Sequence, residues 1–294
     1  MFLFRNRLPA GSSIAASLAV LLLLLLPLNS AAREFEASTA PDKKFVLKLF
    51  PKFYFTSTYF GDDGKAKHIP NVPGLLYTEL PVQIQYGVTG SISVGAILPL
   101  GMTYQEELTR ADPVARFAVR EAWLTLQHRW LTFPFISSSS VRIKLPLQDK
   151  KNWEDGLKVG DGQVDIFPVF HSDYINQAKH FYLQFSAGYK FRLKTGDHKP
   201  QDEIRLYSRA GIELFSELQV RFYVLSDLTW FRNGDYPHPN SPFFEQAGYL
   251  TTIGYGVSLW PRPTLRIELT TAGDLVGRNH YRGIRWIIGT TKIF

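Results

Sequence analysis

The segment FYLQFSAGYKFRL, from Phe181 to Leu193, changes character at every step. Its odd-numbered positions are mostly large and apolar, whereas its even-numbered positions carry Tyr, Gln, Ser, Gly, Lys and Arg. Successive side chains of a β-strand point to opposite faces, so this alternation predicts a strand with one apolar and one polar face. A tilted strand needs roughly 9–11 residues to cross a membrane, and this segment is long enough.

The same alternation recurs along most of the chain. Clear examples begin at Leu76, Ile92, Val141, Ile204 and Val220, and weaker candidates cover 45–60, 116–130, 163–173, 249–259, 264–271 and 284–294. Together they predict about twelve strands of roughly ten residues. One detail resists the pattern, because Pro81 lies in the middle of a predicted strand and there predicts a bulge or a shifted strand boundary.

The connections between the predicted strands alternate in length. The long connections are 61–74, 101–115, 148–162, 194–202, 232–248 and 272–283, and tight ones such as Thr89-Gly90 lie between them. An even strand number with this alternation, ending on an aromatic residue, is typical of outer-membrane barrels. We therefore predict an all-β fold, a transmembrane antiparallel up-and-down β-barrel of about twelve strands over residues 45–294. A soluble β-sandwich or lipocalin-like barrel also alternates, but strands average about 5–6 residues in globular proteins.

The N-terminus, residues 1–32, has the parts of a secretory signal peptide in the usual order. Arg5 and Arg7 precede an apolar stretch from Ile14 to Leu28, and Ser30-Ala31-Ala32 offers small residues for cleavage. The apolar stretch is shorter than the roughly 20 residues of a transmembrane helix. We expect export through a Sec-type signal to the outer membrane of a bacterium.

After cleavage the mature chain is expected to begin at Arg33, with a short periplasmic segment, 33–44, before the barrel. The whole chain has 294 residues with 45% hydrophobic and 20% charged residues, too polar for a helical membrane protein and too apolar for a disordered one. It contains no cysteine, which excludes disulfides and thiolate metal sites. The net charge of +7 does not require a nucleic-acid partner, and we expect none.

Several segments share a strand–turn pattern with a known family. They are Gln85-Tyr86-Gly87-Val88-Thr89, Ser93-Val94-Gly95, Val141-Arg142-Ile143-Lys144-Leu145-Pro146, Gly160-Asp161-Gly162-Gln163-Val164-Asp165, Gly188-Tyr189-Lys190-Phe191-Arg192, Gly277-Arg278-Asn279 and Gly289-Thr290-Thr291-Lys292-Ile293-Phe294. Over about residues 80–294 the chain thereby resembles the outer-membrane family named for the meta-pathway of phenol degradation, among the FadL-like and porin-like barrels. The resemblance implies a barrel that passes small aromatic or apolar molecules. The family more often has an apolar or small residue at position 142, so Arg142 implies a more basic lumen.

In the predicted barrel the apolar faces contact lipid and the polar faces line the lumen. The predicted lumen-lining residues are the basic Arg142, Lys144, Lys190, Arg192, Arg205, Arg209, Arg221, Arg266 and Arg285 and the acidic Glu79, Asp165, Glu213, Asp227 and Glu268. The basic excess favours anions, since anion pores use Arg and Lys. Alternatively, the charges pair with one another and fill a narrow barrel. Arg266 and Glu268 lie on one face, whereas Arg209 and Glu213 would each need a partner on a neighbouring strand.

The sequence predicts no catalytic residues, no cofactor and no metal site, and hence a protein that is not an enzyme. His171, Ser172 and Asp173 are adjacent, but neighbours in a strand face opposite sides, so the serine is separated from the other two. The aspartates of Gly61-Asp62-Asp63-Gly64 are explained by turn chemistry rather than by calcium binding.

We predict an outer-membrane channel or transporter for small molecules, either aromatic or apolar compounds or small anions, with the solute itself unspecified. The alternative is an occluded structural or interaction barrel whose function lies in its extracellular loops. An N-terminal segment inside the lumen, or inward Tyr and Arg side chains packed across it, would favour that alternative. The expected partners are outer-membrane lipid and lipopolysaccharide, and the barrel-assembly machinery through the C-terminal strand ending in Phe294. Outward aromatics such as Tyr86, Tyr189, Trp230 and Trp286 are expected to form interfacial girdles.

Overall fold

The computed structural model describes most of the predicted barrel. The described residues are 37–69, 74–106, 114–119, 121–147, 163–176, 180–193, 201–215, 219–232 and 248–294. The predicted signal peptide, the predicted loop 148–162 and nearly all of the predicted loop 232–248 lie outside these ranges. No helix within them is long and apolar enough to cross a membrane.

The described ranges form antiparallel strands joined by turns. The strands are β1 (Phe45–Leu49), β2 (Lys52–Phe60), β3 (Ala66–His68), β4 (Gly74–Gly87), β5 (Ile92–Glu106), β6 (Val114–Val119), β7 (Glu121–Leu131), β8 (Phe135–Pro146), β9 (Asp165–Asn176), β10 (Phe181–Arg192), β11 (Glu203–Phe215), β12 (Val220–Phe231), β13 (Tyr249–Arg262), β14 (Leu265–Arg278) and β15 (His280–Ile293).

The strands close into a barrel with twelve positions in its wall. From β7 to β15 each strand pairs with the next along the chain, and β4 pairs with β5. Two positions hold two consecutive strands: β1 and β2 both lie between β15 and β4, and β6 and β7 both pair with β5. The short β3 pairs with β2. The predicted all-β, antiparallel, up-and-down barrel of about twelve strands is therefore confirmed.

The two faces of the wall differ as the alternation predicted. On β10, Leu183 and Phe185 are each 42% exposed, while their neighbours Gln184 and Ser186 are buried inside. The other long strands repeat this arrangement where their side chains are described, so the outside of the barrel is mostly apolar and the inside is polar. A soluble barrel would bury its apolar face, so this exposure is that of a barrel surrounded by lipid.

The chain enters β1 and leaves β15 at the same end of the barrel, which we call the N/C end. The β4–β5 turn and the β9–β10 connection also lie there, whereas the β2–β3 hairpin and the β14–β15 turn lie at the opposite end, the loop end. The prediction of a long connection over 272–283 is wrong, because β14 continues to Arg278 and β15 begins at His280. A register shift between Thr251 and Thr252 of β13 disturbs the alternation of β14, and with it the signal for a strand.

The prolines of β4 and β5 face each other. Pro81 pairs in register with Pro99, and the pairing continues on both sides, so the predicted bulge or shifted boundary at Pro81 is wrong. The Pro81 carbonyl accepts a hydrogen bond from the Phe50 N–H, so it points away from β5 and towards the segment that joins β1 to β2. Phe50 lies in the break between β1 and β2. The backbone N–H that Pro81 lacks is therefore missing at a place where the neighbouring strand is itself interrupted, and this is tolerated.

Candidate functional site

The structure holds the predicted charged residues largely in ion pairs. Each of the five acidic residues has a basic partner: Glu79 with Lys52, Asp165 with Lys144, Glu213 with Arg221, Asp227 with Arg205, and Glu268 with Arg209 and Arg266. The remaining basic residues include Lys190 and Arg192, which share Glu203, and Arg285, which pairs with Asp274. Arg142 lies two residues before Lys144 in β8, opposite Phe167 in register.

One group of pairs follows the wall from β8 to β12. Lys144 Nζ lies 2.6 Å from Asp165 Oδ2, and both side chains are almost completely buried. Lys190 Nζ lies 2.7 Å from Glu203 on the next strand. These pairs join neighbouring strands, so they stabilise the wall and also place charged groups on its inner face.

A second group reaches across several strands. Arg209 of β11 contacts Glu268 of β14 at 3.2 Å, although β12 and β13 lie between these strands. Its guanidinium carbon lies 4.1 Å from the ring centre of Tyr223 on β12, a cation–π contact. Arg266 contacts the same Glu268, so one carboxylate holds two guanidinium groups. The contact between Arg209 and Glu268 therefore crosses part of the lumen instead of joining neighbouring strands.

Inward aromatic rings lie flat against the wall where a neighbouring strand has glycine. An idealised Cβ at Gly211 would lie 2.5 Å from the Tyr182 ring, and one at Gly256 would lie 2.4 Å from the Tyr223 hydroxyl. Each ring therefore occupies the space that a side chain would take. Tyr223 also hydrogen-bonds Thr270 at 2.5 Å, which positions its ring beneath Arg209.

The prediction missed Asp274, a carboxylate of the interior that accepts four hydrogen bonds. It accepts hydrogen bonds from the Tyr54 hydroxyl at 2.9 Å, the Thr252 hydroxyl at 2.6 Å, the Gly283 N–H at 3.1 Å and Arg285 at 3.2 Å. The donors belong to three strands, β2, β13 and β15, and Asp274 itself belongs to β14. Position 274 continues the inward series of 268, 270 and 272, a signal that was hidden because 272–283 was interpreted as a loop.

Of the polar residues considered for catalysis, His171 lies in a buried hydrogen-bond network. His171 is bonded to Ser140 of β8 at 3.0 Å through Nε2 and to Ser186 of β10 at 2.9 Å through Nδ1. Ser172 lies on the opposite face, 3.3 Å from Ser137, as the strand periodicity predicted. Among the residues that the structure describes, no three His, Asp or Glu side chains gather as metal ligands.

The hairpin at the loop end is held by turn chemistry. The Lys65 N–H donates to Asp63 at 3.1 Å, and Lys67 lies 3.3 Å from the same carboxylate. The backbone donor and the neighbouring ammonium hold the pKa of Asp63 below its ordinary value. Gly64 has a positive φ of 72°, which glycine adopts without strain.

The N-terminal residues of the described chain lie inside the barrel. Ala37 is completely buried, and its N–H donates to Asp173 Oδ2 at 3.1 Å. Thr39 donates to the Gly90 carbonyl at 3.1 Å, and the Lys43 N–H donates to the Gly87 carbonyl at 2.8 Å. The lumen is therefore partly filled at its N/C end.

No protein-family model matches the chain, and no curated protein matches it. Solved structures are similar to it. The COG4313 outer membrane channel from Pseudomonas putida F1 has a TM-score of 0.67 at 11% identity, over 90% of this chain and 100% of that one. The NanC porin has a TM-score of 0.52 at 9% identity, over 84% of this chain and 98% of that one. At these identities the similarity demonstrates a shared fold, that of an outer-membrane barrel.

Proposed function

We propose that the protein is a channel or transporter that passes small molecules across the outer membrane of a bacterium. The observation that carries the proposal is the polarity of the closed barrel, which is apolar outside and lined inside by side chains that form ion pairs. Burying charged side chains is costly even when they are paired, so an apolar filling would be the simpler way to stabilise a barrel, whereas a polar lumen is where barrels conduct solutes. The fold shared with an outer membrane channel and a porin adds support.

The proposed solutes are small anions, or aromatic and apolar compounds. The predicted lumen set has nine basic and five acidic residues, an excess of four. The partners found in the structure are basic Lys52 and acidic Glu121, Glu203 and Asp274, and Asp173 also faces inward on β9, which reduces the excess to one, ten against nine. A basic excess of this size supports a modest anion preference rather than a strict anion filter.

The test is single-channel conductance of the refolded mature protein in a planar bilayer, with ion selectivity. Stable steps with anion preference are the expected result. Replacing Arg205 and Arg209 with glutamine should shift the selectivity towards cations, because both side chains face the lumen in our proposal. Arg278→Gln, an exposed position at the end of β14, is the matched control and should leave selectivity unchanged. Equal selectivity in the double variant and the control would remove the proposed anion preference.

The second candidate is an occluded barrel whose function lies in the extracellular loops. Two observations favour it: the buried Ala37 inside the barrel, and the contact of Arg209 with Glu268 across part of the bore. The loops 148–162 and 232–248 would then bind the partner. Correctly folded protein that passes no current, and whose loop deletions abolish function in cells, would support this candidate.

The remaining features of the proposed function concern targeting. We propose a cleaved Sec-type signal at 1–32, contact of the apolar outer surface with lipid and lipopolysaccharide, and recognition of the C-terminal strand by the barrel-assembly machinery. The exposed Phe294 at the end of that strand supports the last point. Membership of the family named for the meta-pathway of phenol degradation is also proposed, on the motifs that the chain shares with it.

A further inference from the structure

We propose that residues 37–44, here called the plug segment, close the lumen at the N/C end and that the channel conducts when this segment withdraws. The inference rests on the proposed channel function and specifies how that channel is regulated. It is drawn from two sets of contacts, one deep in the barrel and one at its rim.

The deep contacts hold Ala37. Its N–H donates to Asp173 on β9 at 3.1 Å, and its side chain joins a buried apolar cluster. The cluster contains Ile136, Tyr182, Tyr223, Leu225 and Ala272, which come from β8, β10, β12 and β14. These strands lie within the stretch of wall from β8 to β14, so Ala37 belongs to a cluster built from several strands instead of lying along one.

The rim contacts hold the rest of the plug segment to the β4–β5 turn. Thr39 donates to the Gly90 carbonyl, and Asp42 forms a parallel bridge with Gly87. Around the wall, β7 and β8 lie between β5 and β9. A segment fixed to β9 at one end and to the β4–β5 turn at the other therefore crosses part of the opening instead of following one strand.

The composition of the plug segment allows it to leave. Residues 37–40 are Ala, Ser, Thr and Ala, so their side chains bury little apolar area. Retention therefore depends on a few hydrogen bonds, of which the bond to the Asp173 carboxylate is charge-assisted. Loss of such a bond shifts a two-state population by about tenfold or more. The segment is continuous with β1, so a withdrawn plug stays tethered to the barrel.

The first experiment compares planar-bilayer conductance of the mature chain, 33–294, with that of a chain starting at residue 41. We expect the shortened barrel to be open for more than about ten times longer, because it loses both the Ala37 and the Thr39 hydrogen bonds. Equal current from both chains would overturn the plug while leaving the channel function standing. Silence from both folded chains, with folding checked by heat-dependent gel mobility, would overturn the channel function and the plug together.

A reversible tether tests the same motion without deletion. The chain has no cysteine, so Thr39→Cys with Gly90→Cys gives two unique thiols. An idealised Cβ at Gly90 meets nothing within 4 Å, so the new side chain has space. Bridging the thiols with a flexible disulfide-forming bifunctional reagent should abolish the openings, and reduction should restore them. Undiminished openings in the bridged barrel would contradict the proposal. The Thr39→Cys single variant treated with the same reagent is the control.

Discussion

The N–H of Ala37 donates a hydrogen bond to the carboxylate of Asp173 in the interior of the barrel, 136 residues away along the chain. The acceptor lies two residues from His171, on the same inward face of β9. The donor belongs to the backbone of a segment that precedes the first strand. A wall residue thus holds a part of the chain that is not itself part of the wall.

Asp173→Asn is expected to weaken that bond, because a neutral amide oxygen is a poorer acceptor than a carboxylate. We predict that the open probability in planar bilayers rises by about tenfold, with unchanged conductance of the open state. Asp42→Asn is the control, since it removes the same charge from an exposed position of the plug segment. Open probabilities that are equal in the two variants would show that the Asp173 carboxylate does not hold the segment.

Gly211→Ala is expected to destabilise the barrel. The added methyl group would lie 2.5 Å from ring atoms of Tyr182, and the ring cannot shift without disturbing the apolar cluster around Ala37. Overpacking of this kind costs about 1–3 kcal/mol, measured as the free energy of unfolding in urea with detergent present. Gly273→Ala is the matched control, because a Cβ there meets nothing within 4 Å. A stability loss that is the same in both variants would refute the steric explanation.

Glu268→Gln is expected to raise the anion preference. The carboxylate contacts both Arg209 and Arg266, so its neutralisation leaves two guanidinium groups without their shared counter-charge. We also expect a lower stability, since breaking a buried pair costs about 3–5 kcal/mol. The reversal potential in a salt gradient measures the first effect. Asp63→Asn removes an equal charge from the exposed hairpin and should leave the reversal potential unchanged, whereas an equal shift in both variants would point to net charge alone.

The sequence predicted the barrel because its evidence is local. The alternation around Gln184 and Ser186 follows directly from the geometry of one strand, and lipid requires that pattern in every strand. Pairs within one strand were also accessible, as the contact between Arg266 and Glu268 demonstrates. An alternation with a period of two is therefore enough to predict the barrel fold and to tell the apolar face of each strand from its polar face.

Contacts between distant strands could not be predicted from the alternation within a strand. The partner of Arg209 was expected on a neighbouring strand but lies on β14, because a long guanidinium side chain reaches past Tyr223. The contact of Ala37 with Asp173 depends on where an irregular segment folds, and no periodicity specifies that. Asp274 was missed for another reason, since the register shift in the β13–β14 pairing broke the pattern at that point.

At the loop end, the side chain of Asp274 accepts a hydrogen bond where the backbone pairing between β14 and β15 has stopped. The pairing of β14 with β15 ends at Gly273 and Ile284, although both strands continue, and beyond that point Asp274 accepts the Gly283 N–H. Asp274→Asn keeps the size of the side chain but gives the Tyr54 hydroxyl a weaker acceptor.

We predict that this substitution loosens the wall between β14 and β15 locally. Hydrogen exchange of the Gly283 amide should accelerate by about tenfold, the equivalent of one weakened buried hydrogen bond, while amides of β10 keep their rates. Asp227→Asn is the control, because Asp227 lies where the β11–β12 and β12–β13 ladders are continuous. Exchange at Gly283 that stays at the wild-type rate in Asp274→Asn, or accelerates equally in the control, would show that the carboxylate does not close the wall.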